Sequence, residues 1–291
     1  MAVSPAHRWG QIIGEVLEGA VVPVLRNFAR KHGLFLDQRG ERPCRAGRKC
    51  VWTDLNGNAH DLDFVLERGG TPNRVGTPVA FIEVAWRRYS KHSRNKAQEI
   101  QGAIVPLAET YSHAGPFKGA ILAGVFTDGA LTQMRSLGFT ILYFPYEMIV
   151  GVFRAVGIDA SSEENTPDAD FQENVNRYEQ LTVPQRSALS QRLMRSNAEG
   201  VREFINALTA AVSRRIERII ILPLHGTSEE LLTIDDAIAF LRGYDDTDGG
   251  KPVRRYEIQI RYNNGDVIEG KFADKESAVE FLRTYRLTAS T

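Results

Sequence analysis

The chain has 291 residues, with 36 basic side chains balanced by 36 acidic ones and a sequence pI of about 7.0. That balance argues against a uniformly basic nucleic-acid coat or a histone-like tail. With 43% apolar and 25% charged residues the composition excludes a disordered chain and supplies sizeable cores for one or two domains. The neutral total hides an asymmetry, because residues 1–100 carry 16 Lys and Arg against 10 Asp and Glu.

The only two cysteines, Cys44 and Cys50, have no second pair to complete a four-ligand zinc site, so free thiols of a reducing cytosol are expected. The first residues lack the apolar core of a signal peptide, and no apolar run approaches the ~20 residues of a membrane span. The expectation is a soluble, cytoplasmic protein with no membrane partner.

In chain order, Ile13, Leu17, Ala20, Val21, Val24 and Phe28 share one helical stripe over residues 12–29, with Pro23 expected to bend the helix. Glu15 points away from the stripe. Glu18 lies at its flank, where a side chain reaches along the edge of a core. Extended runs at 49–55 and 60–67 are joined through Asn56-Gly57-Asn58, a strong hairpin signal. A strand at 79–86 precedes a helix at 90–109, with Ala97, Ile100, Ile104 and Leu107 inward and basic first turns. Strand 119–126, helix 128–137, strand 139–144 and helix 146–156 follow. Near-continuous apolar strands alternating with helices imply a sheet covered on both faces.

Residues 159–180 hold seven acids against one Arg and read as a solvated linker or exposed crossing segment. Helices at 184–194 and 198–215, a strand at 219–224 and a helix capped by Thr233 come next. The chain closes with alternating Tyr256, Ile258, Ile260 and Tyr262, an Asn263-Asn264-Gly265 turn, a return strand at 267–272 and a helix from Asp274. This ββα unit belongs to a smaller C-terminal α+β domain. No internal repeat stands out. The predicted division is a core at 1–157, an acidic linker at 158–183 and a C-terminal domain at 184–291.

The chemistry concentrates in Asp61-Leu-Asp63 and, twenty residues on, Glu83-Val-Ala85-Trp86. Placing Asp63 beside Glu83 on adjacent strands sets two carboxylates at the end of an apolar sheet, which is costly if they stay unpaired. Mg²⁺, which takes one or two carboxylates plus waters and phosphate oxygens, would relieve that cost; so would pairing with Arg68 or Arg87. From Val84 to Gln98 there is no acid, but there are Arg87, Arg88, Lys91, Arg94 and Lys96, with Asn95 and Gln98 among them. Cations at a helix start beside two carboxylates suit a phosphodiester lying against a metal. The C-terminal hairpin offers a weaker alternative, with Tyr256, Tyr262 and Phe272 near Arg254, Arg255, Arg261 and Lys271. Such aromatics are more often core than base-stacking.

Asp63, Glu83-Val84-Ala85, the helix that follows and Glu18 on an early helix resemble the PD-(D/E)xK, or restriction-endonuclease-like, nuclease superfamily. The resemblance covers roughly the first half of the chain. It implies a mixed central sheet flanked by helices and a metal site of Asp63, Glu83 and Glu18 loaded with one or two Mg²⁺, which Mn²⁺ can replace. It further implies hydrolysis of double-stranded DNA, with Arg87, Arg88, Lys91, Arg94, Asn95, Lys96 and Gln98 on the DNA side. The resemblance extends to a type II restriction enzyme acting as a homodimer, alongside a cognate DNA methyltransferase. The family's lysine falls at Ala85. Either that function has moved to Lys91 or Lys96, or a lysine was replaced to stop cleavage; the intact surroundings of Ala85 favour the replacement. A naturally inactive DNA-binding relative and a repair or recombination nuclease are the rival readings, and the C-terminal domain would serve specificity or dimer contact.

Overall fold

The apolar stripe of the first thirty residues becomes α1 (Pro5–Lys31), which runs on through Pro23. Ser4 accepts the His7 N–H at its start, and Arg30 and Lys31 sit at its negative end. The structure is a computed structural model in which residues 4–90, 93–224, 226–246 and 253–286 are described. Its contacts divide the chain into two units: Met1–Ser112 with Pro116–Thr209, and His113–Gly115 with Ala210–Thr291.

The strands of the first unit are β1 (Leu34–Gln38), β2 (Cys50–Thr53), β3 (Ala59–Leu62), β4 (Phe64–Arg68), β5 (Thr77–Arg87), β6 (Phe117–Gly124) and β7 (Phe139–Pro145). Five form one sheet of order β1-β4-β5-β6-β7, antiparallel from β1 to β5 and parallel from β5 to β7, so the sheet is mixed. β2 and β3 make the predicted hairpin. Asp54 locks its turn by accepting N–H groups from Asn56 and Asn58, and Gly57 supplies the left-handed residue at φ 82°. β1 escapes the sequence reading because it is short and carries a charge, Asp37, at its one fully buried position.

Helices cover both faces. α2 (Ser93–Thr110) and α3 (Asp128–Ser136) close one, where Ala97, Ile100 and Met134 join Phe81, Ala85 and Leu122 in a single apolar cluster. On the other, Val21 and Leu25 of α1 line a small apolar cavity with Ile121 and Leu142. α4 (Tyr146–Arg154), α5 (Asp168–Gln180), α6 (Val183–Ser196) and most of α7 (Ala198–Val212) complete this unit. The expected linker is therefore a correction. Residues 168–180 form a helix that packs on α1 and buries Phe171, Val175 and Tyr178, and the boundary between units falls near residue 210. A helix docked through three apolar residues at i, i+4 and i+7, with acids elsewhere, looks solvated by composition alone.

The second unit contains β8 (Ile216–Pro223), β9 (Glu229–Leu231), α8 (Ile234–Gly243), β10 (Tyr256–Tyr262), β11 (Val267–Phe272) and α9 (Lys275–Arg286). Its antiparallel sheet has the order β11-β10-β8-β9. The order of elements, ββα then ββα, is a duplication, against the expectation of no repeat. Six positions of α8 and α9 correspond at an offset of 41 residues: Ala237 and Ala278, Ile238 and Val279, Phe240 and Phe281, Leu241 and Leu282, Arg242 and Arg283, Tyr244 and Tyr285. Both helices are capped alike, Thr233 accepting the Asp236 N–H and Asp274 the Ser277 N–H. The same offset relates Ile219 to Ile260, which face one another across the central antiparallel pair. A local two-fold axis thus passes through that pair, normal to the sheet.

Equivalence predicts equal loads: Leu241→Ala and Leu282→Ala, both at 0% exposure, should each destabilise this unit by about 2–5 kcal/mol. Urea unfolding followed by a probe in this unit checks it, and a near-silent Leu282→Ala beside a severe Leu241→Ala would contradict the symmetry.

Candidate active site

Asp63 occupies the single-residue break between β3 and β4, and Phe64 pairs with Ile82 on β5, so Asp63 stands beside Glu83. The two carboxylates are tied through backbone. The Asp63 N–H donates to Glu83 Oε1 at 3.2 Å, and the Val84 N–H donates to Asp63 Oδ2 at 2.8 Å. Glu83 is only 7% exposed. Neither acid forms an ion pair within 4 Å among the described residues, so the alternative of a pairing with Arg87 is not what the structure has. Arg87 instead donates to its own neighbour's carbonyl, Trp86 O, and lies 4.0 Å from Glu99.

Burial pushes Glu83 up to about 8, with the Asp63 charge adding to the rise and Lys96 opposing it. Burial also raises Asp63, against the Val84 N–H and the same Lys96. Glu18, on α1, is raised by loss of solvent around it and then by repulsion from Asp63, with Arg39 opposing. The three acids named from sequence therefore share one electrostatic neighbourhood. Among the described residues, however, no three His, Cys, Asp or Glu side chains converge closely enough to hold a metal by themselves. The fit to a divalent cation is that of Asp63 and Glu83: hard-oxygen donors, Asp63 half-buried and Glu83 buried, with no direct cationic partner among the described residues, leaving the rest of a shell to water and phosphate, as Mg²⁺ favours.

Ala85 shares the Glu83 face of β5, is 4% exposed and belongs to the apolar cluster under α2. A lysine comes from α2: Lys96 acts on both carboxylates, is 22% exposed and pairs with Glu99 at 3.3 Å. Lys91 lies outside the described residues. Arg94, Asn95 and Gln98 are exposed on α2. Arg88 is half-buried, stacking at 4.3 Å over the Phe171 ring and donating to Ala6 O at 3.0 Å.

Sequence reasoning missed the ion cluster beneath. Arg42 makes a fork onto Glu67, at 2.5 and 2.9 Å, and reaches Asp37 at 2.9 Å, with all three side chains at most 4% exposed. Cys50 donates to Asp37, and its thiol is driven upward by burial. A buried fork of this kind pins the 39–49 segment to the sheet. The one available signal was Glu67 at the end of an expected extended run. His60 lies 3.0 Å from Asp54. In the second unit Tyr256 and Tyr262 are core, Arg255 and Lys271 lie at 2.6 and 3.9 Å from Glu257, Arg261 donates to Gln259, and Arg254 is exposed.

The raised Glu83 has a consequence for stability. Its folded value, about 8, lies above its ordinary 4.5, so the protonated form is favoured by folding; that contribution is full below pH 4.5 and is lost as pH rises through 8. In EDTA, the melting temperature should fall between pH 6 and pH 8.5, and Glu83→Gln should flatten this dependence. An identical slope in the variant would refute the assignment.

No protein-family model matches the chain, and no curated protein does. A crystal structure of a protein of unknown function, AF1548, aligns over 66% of this chain and 98% of its own at 10% identity, with a TM-score of 0.29. That likeness is too slight to bear on fold or function. No helix among the described residues is long and apolar enough to cross a membrane.

Proposed function

We propose that the chain is a Mg²⁺-dependent endonuclease of the PD-(D/E)xK type acting on double-stranded DNA, with Asp63 and Glu83 as the ligands and Lys96 in the lysine role. The observation that carries this is the juxtaposition of Asp63 and Glu83 at the β4–β5 junction, each accepting an N–H of the other's segment, with Lys96 acting on both. Mg²⁺ bound there would polarise the scissile phosphate and lower the pKa of a water. Glu83 must lose its proton for the site to load, and Lys96, anchored by Glu99, is placed to orient a water and to offset phosphate charge. Arg94, Asn95 and Gln98, exposed on the same helix, hold the backbone without reading sequence.

The lysine on α2 favours migration of that function over loss of a lysine from position 85. A restriction-type reading brings a homodimer, which cuts two strands with one site per chain, and a partner methyltransferase.

Supercoiled plasmid with Mg²⁺ or Mn²⁺ tests the proposal. The chain as it stands should nick or linearise it, while Asp63→Asn and Lys96→Ala should each lose at least about 10²-fold. Ala85→Lys should gain nothing and lower stability, because the side chain would enter a packed layer. DNA binding without cleavage would overturn the nuclease reading in favour of an inactive relative, and a strong preference for branched over linear duplex would point to repair.

A further inference from the structure

We infer that the segment between β1 and β2, residues 39–49, is a second phosphate-binding wall of the same site, gripping the nucleic-acid backbone together with α2. The inference rests on the phosphodiester reading above and names a surface that reading does not contain. Five of the eleven residues are cations, against the single acid Glu41. They divide into two groups with different work. Arg42 and Arg45 are spent internally, Arg42 in the buried fork and Arg45 on Asp37 at 3.3 Å and on Gln38 O and Gly40 O at 3.1 and 3.0 Å. Arg39, Arg48 and Lys49 are exposed.

The end of the segment reaches the candidate site, where Lys49 pairs with Asp61 at 3.1 Å, two residues from Asp63. Arg39 and Arg48 make no ion pair among the described residues. A segment that only had to be soluble would not need a buried Arg fork to hold it. Here the fork and the Gly40 N–H to Arg48 O bond fix the backbone, so the free guanidinium groups are presented with little ordering left to do on binding. Arginines suit phosphate because their planar donors bind it in pairs. Cations thus approach the carboxylates from two separate parts of the fold, α2 and the 39–49 segment, and a polyanion is the partner that fits both.

The test measures binding of a fluorescein-labelled 30-bp duplex by the full chain, with Ca²⁺ replacing Mg²⁺, across a salt series. For Arg39→Gln/Arg48→Gln, the slope of log K against log salt should fall by about 1.8, and affinity should drop roughly tenfold or more at 0.1 M salt. Glu41→Gln should bind more tightly, a change of opposite sign that a merely structural role would not produce. Melting temperature should be unmoved in both, and so should Mg²⁺ binding by calorimetry. An unchanged slope and affinity in the double variant, with the parent still binding DNA, would overturn the second wall and leave the nuclease proposal standing. A parent that binds no DNA would overturn both.

Discussion

Two carboxylates are held together in a poor solvent by backbone they do not own. Asp63 leans on the N–H of Val84, Glu83 on the N–H of Asp63, and among the described residues neither has a cation within ion-pair distance. Much else in the first unit follows from keeping that arrangement. The break between β3 and β4 exists where Asp63 must turn its N–H toward β5, β5 is buried on both faces and so cannot shift, and α2 must start close enough to bring Lys96 alongside. The glycine that ends β6 belongs to the same constraint: at Gly124, with φ 95°, a Cβ would lie 2.0 Å from Arg87 O, so the strand beside the site has no room for a side chain there.

Most of this was legible in the sequence wherever a residue type and a period agreed. The α1 stripe, the Asn-Gly hairpin, the apolar runs of β5 to β7 and the Asp63 and Glu83 spacing each combine chemistry with a strand or helix period. What stayed hidden lacked one of the two. β1 is too short to show alternation, and its Asp37 reads as polar until Arg42 is seen beside it. α5 buries only three residues under a coat of acids. Arg88 looks like its cationic neighbours along the chain, and only the fold shows its guanidinium laid on Phe171. Charge runs reveal sign but not which members are already engaged, and that distinction is what separates Arg42 from Arg48.

Neutral composition likewise averages over separate jobs. Acids of α5 sit on a helix whose docking is apolar, cations of 39–49 divide between a buried fork and an open edge, and on the C-terminal hairpin Arg255 and Lys271 share Glu257. Net charge says little about partners when each segment settles its electrostatics locally.

The duplicated ββα unit has a consequence of another kind. Half of it, a hairpin and one helix of about forty residues, is too small to bury a core unaided; each half supplies the other's missing face around Ile219 and Ile260. Such a pair as separate chains would be a symmetric dimer that falls apart on dilution. Joined in one polypeptide, the two-fold interface no longer depends on protein concentration, and each half is free to diverge at its surface while the shared axis keeps both cores in step.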